Sequence, residues 1–127
     1  MRVALILTKL KKKKNVAIFI SGRGSNMMAL INDMKKRKDH PGQPKLVVSD
    51  NVDADGLIFA KENSVETFSL NIKKSEDKAT FEDRILNVLL KNSIDIICLA
   101  GFMKILSEKF IKTFSKPILN IHPSLLP

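Results

Sequence analysis

The chain has 127 residues, of which 44% are hydrophobic and 28% are charged, and this composition is typical of one globular domain. No apolar run comes near the roughly 20 residues needed to span a bilayer, so we expect no membrane partner. The formal net charge of +9 favours an anionic partner, but the lack of tryptophan, of tyrosine and of any recognition-helix or zinc pattern argues against a nucleic acid.

The first 14 residues, MRVALILTKLKKKK, are interpreted as an N-terminal extension before a single domain over residues 15–127. Their apolar stretch is too short for a secretory signal, and the lysines follow it, whereas a signal peptide carries its positive charge first. The single cysteine, Cys98, excludes an internal disulfide and is typical of the reducing cytosol. We therefore expect a cytoplasmic protein.

Strand-like and helix-like segments alternate along the rest of the chain. Apolar or β-branched runs predict strands, and apolar residues at helical spacing predict helices. Thr80 and Asp83 are spaced as a capping box for the third helix, and Ser107 is a typical cap for the fourth. The alternation predicts an α/β fold, namely a Rossmann-like, doubly wound, mainly parallel sheet with helices on both faces. The predicted strands are 15–21, 45–50, 65–70, 94–102 and 117–122, and the predicted helices are 25–38, 55–63, 80–92 and 107–115.

Three segments with chemical character follow or end predicted strands: SGRGSN (21–26), GFMKIL (101–106) and NIHPS (120–124). Open parallel sheets bind ligands outside the carboxyl ends of their strands, where the strand order switches. We therefore expect the three segments to meet at one edge of the sheet and to form the functional site.

In the first of these segments, Gly22 and Gly24 would let the backbone turn sharply and approach a ligand closely. Ser25 and Asn26 then open a helix, and its free N–H groups make an anion site suited to a phosphate. Met27 stands where a dinucleotide fingerprint would need glycine, so a dinucleotide is not indicated. The alternative is a tight strand–helix turn with serine as its cap.

Asn120 and His122 lie two residues apart on the last predicted strand, so their side chains point to the same face. A histidine can move protons near neutral pH, and an asparagine amide can donate a hydrogen bond to an oxygen that becomes negative. Such a pair suits transfer of an acyl-type group to an amine through a tetrahedral oxyanion. The alternative is a structural pair, with Asn120 holding a loop and His122 packed under Pro123.

The remaining polar residues give weaker signals. Asp50 ends the second predicted strand, where a ribose-binding acid would sit, but a single aspartate there is usually part of a turn. His40 lies in a polar turn without comparable neighbours. No G-x-S-x-G motif of a hydrolase occurs. No cluster of His, Cys and Asp has metal-ligand spacing, so we expect no metal.

The three segments together resemble the glycinamide ribonucleotide formyltransferase family, which consists of folate-dependent enzymes of purine synthesis. The likeness runs from about Asn15 to Pro127 and is carried by SGRGSN, LAGFMKIL (99–106) and NIHPSLLP (120–127). The last two motifs are specific to folate formyltransferases, and SGRGSN favours the glycinamide ribonucleotide branch.

The resemblance implies roles for individual residues. Gly24, Ser25 and Asn26 would hold the phosphate of the substrate, glycinamide ribonucleotide. Asn120 would stabilise the oxyanion, and His122 would be the acid–base group.

The resemblance also implies a binding site for the co-substrate, 10-formyltetrahydrofolate. Lys104 stands where arginine is common, so a planar guanidinium contact is lost there, and Lys78 stands near another position that is often arginine. The residues implied for the folate site are Met103, Lys104, Ile105, Leu106 and Lys78.

Members of the family continue beyond SLLP, and the resemblance implies that this later segment supplies a catalytic aspartate and the other wall of the folate pocket. We therefore expect the chain to represent the N-terminal, substrate-binding part of the fold, with the C-terminal part absent. Two alternatives remain open. One is another folate-dependent formyltransferase, of the methionyl-tRNA type or a formyltetrahydrofolate deformylase. The other is a non-catalytic module that binds a nucleotide phosphate. The sequence does not indicate an oligomeric state.

Overall fold

The computed structural model describes residues 13–121 of the chain. These residues form one five-stranded sheet with the strand order β3-β2-β1-β4-β5, and every neighbouring pair of strands is parallel. The predicted doubly wound α/β fold is thus confirmed. The strands are Lys14–Ile20 (β1), Gly42–Ser49 (β2), Glu66–Ser69 (β3), Ile96–Leu99 (β4) and Ile118–Asn120 (β5).

Four helices connect the strands in the described part of the chain, and they cover both faces of the sheet. Helices α1 and α2 pack on one face with the alternate β1 residues Val16, Ile18 and Ile20. Helices α3 and α4 pack on the other face with Ala17 and Phe19. From Val16 to Ile20, β1 is buried on both faces and is apolar, as central strands of parallel sheets are. The helices are Ser25–Lys36 (α1), Gly56–Glu62 (α2), Ser75–Lys91 (α3) and Glu108–Phe114 (α4).

The topology defines where a ligand can bind. From β1 the chain moves outward to β2 and β3, and it then returns to the other side of β1 to form β4 and β5. The strand order therefore switches between β1 and β4, and the loops that leave these two strands diverge to opposite faces of the sheet. In open parallel sheets, the carboxyl edge at such a switch in strand order is the usual ligand site.

The predicted start of the third helix was wrong. Helix α3 begins at Ser75 rather than near Thr80, and Thr80 lies inside it, where its hydroxyl donates to the carbonyl of Glu76 at 3.5 Å. The first turn is instead stabilised by Asp77, whose carboxylate accepts the backbone N–H groups of Lys73 at 3.1 Å and Lys74 at 3.0 Å. These two hydrogen bonds lower the pKa of the Asp77 carboxyl.

The predicted serine cap of the fourth helix is confirmed, because the Ser107 hydroxyl accepts the N–H of Phe110 at 3.1 Å. Cys98 lies in β4 with only 7% of its surface exposed, and this burial raises the pKa of its thiol. His40 is occupied at a turn on the opposite edge of the sheet: its Nδ1 accepts from Gly42 N at 2.9 Å, and its Nε2 lies 3.1 Å from an Asp33 carboxylate oxygen. Neither Cys98 nor His40 is placed for chemistry at the carboxyl edge.

None of the helices between residues 13 and 121 combines the length and the apolar character needed to cross a membrane.

Candidate active site

The carboxyl edge brings together the segments that the sequence singled out. The loop after β1 (residues 21–26, hereafter the β1 loop) and the loop after β4 (residues 101–107, hereafter the β4 loop) leave adjacent strands. The Ser21 hydroxyl accepts the N–H of Met103 at 2.9 Å and so joins the two loops directly. Strand β5 ends beside β4, with Asn120 in register with Leu99.

The β1 loop depends on one glycine. Gly24 has φ 76° and ψ 32°, which is the left-handed conformation that residues with a Cβ adopt only at a cost. A Cβ at this position would lie 3.1 Å from Met27 Cε and 3.2 Å from Gly56 Cα, so space as well as conformation requires glycine. Gly22 differs, because its φ is not left-handed and a Cβ there would meet nothing within 4 Å. The structure thus shows why the turn needs glycine at position 24, whereas the predicted close approach of a ligand to Gly22 stays a prediction.

Helix α1 starts without a side-chain cap. Its N-cap is Gly24, whose carbonyl accepts Met28 N at 2.8 Å to close the first turn, and no side chain caps the helix. The alternative in which a serine caps this turn is therefore wrong, and Ser25 is exposed at the first helical position. The first turn also contains no acidic residue. Uncapped N–H groups at the positive end of a helix dipole attract an anion.

Helix α2 supports the β1 loop from behind. Its first residue, Gly56, donates its N–H to the carbonyl of Gly22 at 3.2 Å. A Cβ on Gly56 would lie 2.5 Å from Ile20 Cδ1 and 3.0 Å from the carbonyl oxygen of Arg23. This role of Gly56 was not predicted, because nothing local in DGLIF indicates that another loop packs against its Cα.

The β4 loop presents large apolar side chains to solvent. Met103 is 77% exposed and Ile105 is 81% exposed, whereas Leu106 is buried in the core under α4. Gly101 has a left-handed φ of 79° and starts the loop. Of the residues predicted to bind folate, Met103, Lys104 and Ile105 are therefore exposed, whereas Leu106 belongs to the core.

Lys78, the other predicted folate contact, lies in α3 and is partly exposed. It precedes Glu82 by one helical turn, so the two side chains project from the same side of α3. Glu82 accepts from both Ser107 N at 2.8 Å and Ser107 Oγ at 2.5 Å. Lys78 is thus on the side of α3 that faces the end of the β4 loop.

Asn120 is the last residue of β5, and its side chain is exposed. Ile118, two residues earlier, packs against the cluster beneath α3 and α4, so Asn120 projects to that same face of the sheet. His122 lies outside the described residues, and the predicted proximity of Asn120 and His122 therefore stays a prediction.

Asp50, which directly follows β2, is buried at the same edge. Its backbone carbonyl accepts Ile72 N at 3.2 Å, and the turn itself is made by Ser49 Oγ, which accepts Asn51 N at 3.1 Å. The Oδ1 atom of Asp50 is buried without a hydrogen-bond partner among residues 13–121. In the same part of the chain, no three side chains of His, Cys, Asp or Glu are grouped to hold a metal ion.

Comparison with known proteins gives a consistent assignment. The family model described as "Formyl transferase" matches residues 14–127. The human protein named "Trifunctional purine biosynthetic protein adenosine-3" is 44% identical over 117 residues, which is 92% of this chain and 12% of that protein. The Haemophilus influenzae protein named phosphoribosylglycinamide formyltransferase is 40% identical over 114 residues, which is 90% of this chain and 53% of that protein.

Solved structures agree with these sequence comparisons. The crystal structure of phosphoribosylglycinamide formyltransferase from Brucella melitensis superposes with a TM-score of 0.80 at 45% identity, covering 91% of this chain and 60% of that one. The structure of glycinamide ribonucleotide transformylase 1 from Geobacillus kaustophilus superposes with a TM-score of 0.79 at 37% identity, covering 88% and 59%. The chain thus spans little more than half the length of these bacterial proteins. It belongs to the formyl transferase family.

Proposed function

We propose that this protein takes part in transferring a formyl group from 10-formyltetrahydrofolate to the amine of glycinamide ribonucleotide, a step of purine biosynthesis. The proposal is carried by two features that lie together at one edge of the sheet. Helix α1 begins after Gly24 without a side-chain cap, and the neighbouring β4 loop exposes Met103 and Ile105. The first feature suits a phosphate and the second suits a flat apolar ring. The names of the relatives support the same reaction.

The phosphate of glycinamide ribonucleotide is held in this proposal by Gly24, Ser25 and Asn26. Their backbone N–H groups belong to the uncapped start of α1, and the positive end of its dipole favours the phosphate charge. The Ser25 hydroxyl is exposed and can add a further donor. Gly24 allows the ligand to approach the backbone because it has no side chain.

The folate co-substrate lies in this proposal along the β4 loop, on Met103, Lys104, Ile105 and the buried Leu106. The exposed apolar side chains lose their contact with water when a ring covers them, at about 25 cal/mol per Å² of apolar surface. Lys104, and Lys78 on the neighbouring helix, supply positive charge for an anionic part of the co-substrate. The proposal needs no metal.

Asn120 and His122 carry the chemistry in this proposal. The substrate amine attacks the formyl carbon, and the carbonyl oxygen becomes an oxyanion to which the Asn120 amide donates. His122 accepts a proton from the attacking nitrogen and returns one to the folate nitrogen as the carbon–nitrogen bond breaks. The support for His122 is its spacing two residues after Asn120 in the sequence.

The setting of the reaction is also part of the proposal. We place the formyltransferase domain at residues 15–127, with residues 1–14 as an extension, and the family match from residue 14 supports a boundary there. We expect the protein to act in the cytoplasm, with glycinamide ribonucleotide and folate as its partners and with neither nucleic acid nor membrane.

Formyl transfer measured with both substrates tests the proposal. We expect the chain to bind glycinamide ribonucleotide in calorimetric titrations, and to bind ribose 5-phosphate more tightly than unphosphorylated ribose. Transfer to another amine but not to glycinamide ribonucleotide would identify a different folate formyltransferase. Phosphate-dependent binding without transfer, in the chain and in a hybrid carrying the remaining length of the Haemophilus influenzae relative, would identify a non-catalytic phosphate-binding module.

The residue with the sharpest expected effect on chemistry is Asn120. The substitution Asn120→Ala is made in the chain or in the hybrid, whichever transfers formyl groups. It should raise the free-energy barrier of formyl transfer by roughly 3 kcal/mol, as loss of an oxyanion donor does. The affinity for glycinamide ribonucleotide should stay the same, because its phosphate is assigned to the β1 loop and Asn120 is on β5, which β4 separates from β1. A single-turnover rate close to that of the unmodified protein would make Asn120 structural.

A further inference from the structure

We propose that Glu82 is a positioning residue for the co-substrate, because its buried carboxylate fixes the end of the β4 loop through Ser107. This inference rests on the proposed function for the identity of the co-substrate. Its structural part, that Glu82 holds the loop, stands on the contacts within the chain.

Both carboxylate oxygens of Glu82 accept hydrogen bonds from the same residue, Ser107. Oε2 accepts Ser107 N at 2.8 Å and Oε1 accepts Ser107 Oγ at 2.5 Å, while Ser107 Oγ in turn accepts Phe110 N at 3.1 Å. Glu82 is only 7% exposed. Burying a carboxylate is costly unless it is well hydrogen-bonded, so the geometry of Ser107 is tightly specified by its partner.

This arrangement exceeds what a helix cap requires. Ser107 alone satisfies the start of α4 through Phe110, and a serine cap needs no acid behind it. Glu82 belongs to a different helix, α3, and reaches Ser107 from outside the capped turn. Its contacts therefore fix Ser107 relative to α3 and the core, which is a constraint on the loop in addition to one on α4.

Phe102 and Leu106 pack against the core, but the side chains exposed along the rest of the β4 loop supply no such constraint. Met103 and Ile105 are mostly exposed, so their burial does not hold the loop in the ligand-free protein. Near its start the loop is tied by Met103 N, which donates to Ser21 Oγ. At its end it is tied by Glu82. Residues 104–106 lie between these two anchors and are implied to contact the co-substrate.

The test compares Glu82→Ala, Glu82→Gln and the control Asp83→Ala, which changes the exposed acid next in the sequence. Amide hydrogen exchange on the ligand-free 127-residue chain is the first measurement. We expect exchange at residues 103–107 to rise about tenfold or more in Glu82→Ala, as loss of charge-assisted hydrogen bonds predicts. The rise should be smaller in Glu82→Gln, which keeps one acceptor oxygen and the side-chain volume. Asp83→Ala should leave exchange there unchanged.

Tetrahydrofolate and glycinamide ribonucleotide titrations form the second measurement. In Glu82→Ala the Kd for tetrahydrofolate should rise about tenfold, in line with the lost anchor, while the Kd for glycinamide ribonucleotide should stay within about twofold. Recovery of tetrahydrofolate affinity in Glu82→Gln would support a geometric role. Unchanged exchange at residues 103–107 in folded Glu82→Ala overturns the inference, and if Glu82→Ala does not fold, unchanged exchange in Glu82→Gln overturns it instead. A uniform rise across the whole sheet overturns it too, because Glu82 would then only stabilise the fold. If the unmodified chain and the hybrid bind no tetrahydrofolate, the proposed function fails, while the exchange result still decides the role of Glu82.

Discussion

The β1 loop and the β4 loop sit side by side at the carboxyl edge, but they are held by opposite means. The conformation of the β1 loop depends on the absence of side chains, because Gly24 and Gly56 approach each other where no side chain fits. The conformation of the β4 loop depends on the presence of side chains, because Ser21 and Glu82 hold the loop by accepting hydrogen bonds from its backbone. The first loop should therefore fail when atoms are added, and the second when atoms are removed.

The largest expected effect comes from adding one methyl group to the β1 loop. Gly24→Ala places a Cβ at φ 76° and 3.2 Å from Gly56 Cα, where backbone must shift. We expect the free energy of unfolding to fall by roughly 2–4 kcal/mol, and binding of glycinamide ribonucleotide to weaken. Urea denaturation and calorimetry measure the two effects.

The matched control is Gly22→Ala in the same loop, where a Cβ meets no neighbour within 4 Å. Its unfolding free energy should change by less than about 0.5 kcal/mol. Equal destabilisation by the two substitutions would show that the β1 loop is not shaped by the close approach of Gly24 to Gly56.

The next effect comes from removing one hydroxyl from the β4 loop. Ser107→Ala deletes the cap of α4 and leaves one oxygen of the buried Glu82 without its donor. We expect a loss of roughly 1–3 kcal/mol of unfolding free energy, measured by urea denaturation. Ser75→Ala, at the exposed start of α3, is the control and should have little effect. An unchanged unfolding free energy in Ser107→Ala would show that the β4 loop does not depend on this side chain, and it would contradict the contrast between the two loops.

A smaller effect is expected at the contact between the two loops. Ser21→Ala removes the acceptor for Met103 N, and a single exposed hydrogen bond of this kind contributes about 0.5–1.5 kcal/mol. Amide exchange should rise at Met103, while affinity for glycinamide ribonucleotide should hold. If that affinity falls as well, the two loops act as one unit, and the contrast between them is wrong.

The smallest effect concerns pH. The pKa of Asp77 is lowered by hydrogen bonds from Lys73 N and Lys74 N, so the stabilisation of the first turn of α3 is fully present above the ordinary carboxyl pKa of 3.8. It is lost as the pH falls through the lowered folded value. In an NMR titration, the Lys73 and Lys74 amides should shift together with a midpoint below 3.8, while the β1 loop stays unchanged. A midpoint at or above 3.8 would contradict the assignment.

Much of the fold was predictable because its signals are local. The apolar run of β1 and the helical spacing of Met27, Ile31 and Met34 in α1 are written in consecutive residues, and they are buried as expected. The start of α3 was missed because its first turn, beginning at Ser75, carries no apolar residue that would extend the pattern backward from Phe81. Its true signal is Asp77, which accepts N–H groups from the two residues before the helix.

The candidate site was predictable in its location but not in its support. The three motifs follow strands, and parallel strands place their carboxyl ends at one edge, so the meeting of the β1 and β4 loops could be expected. Glu82 and Gly56 act on loops that lie far from them in the chain, and only the packing of α3 and α2 brings them there. The spacing of residues along the sequence does not indicate such contacts.

The contact of Gly56 with the β1 loop also sets an order of events in folding. The N–H of Gly56 reaches the carbonyl of Gly22 only after β2 has paired with β1 and α2 has docked. Helix α1 has 12 residues and is marginal in isolation, and its first turn has no fixed support until the later contact closes. During refolding, the ability to bind a phosphate should therefore arise with the docking of α2, because the contact of Gly56 with Gly22 joins residues that are far apart in the sequence. On the ribosome it should arise only after the second crossover has been synthesised.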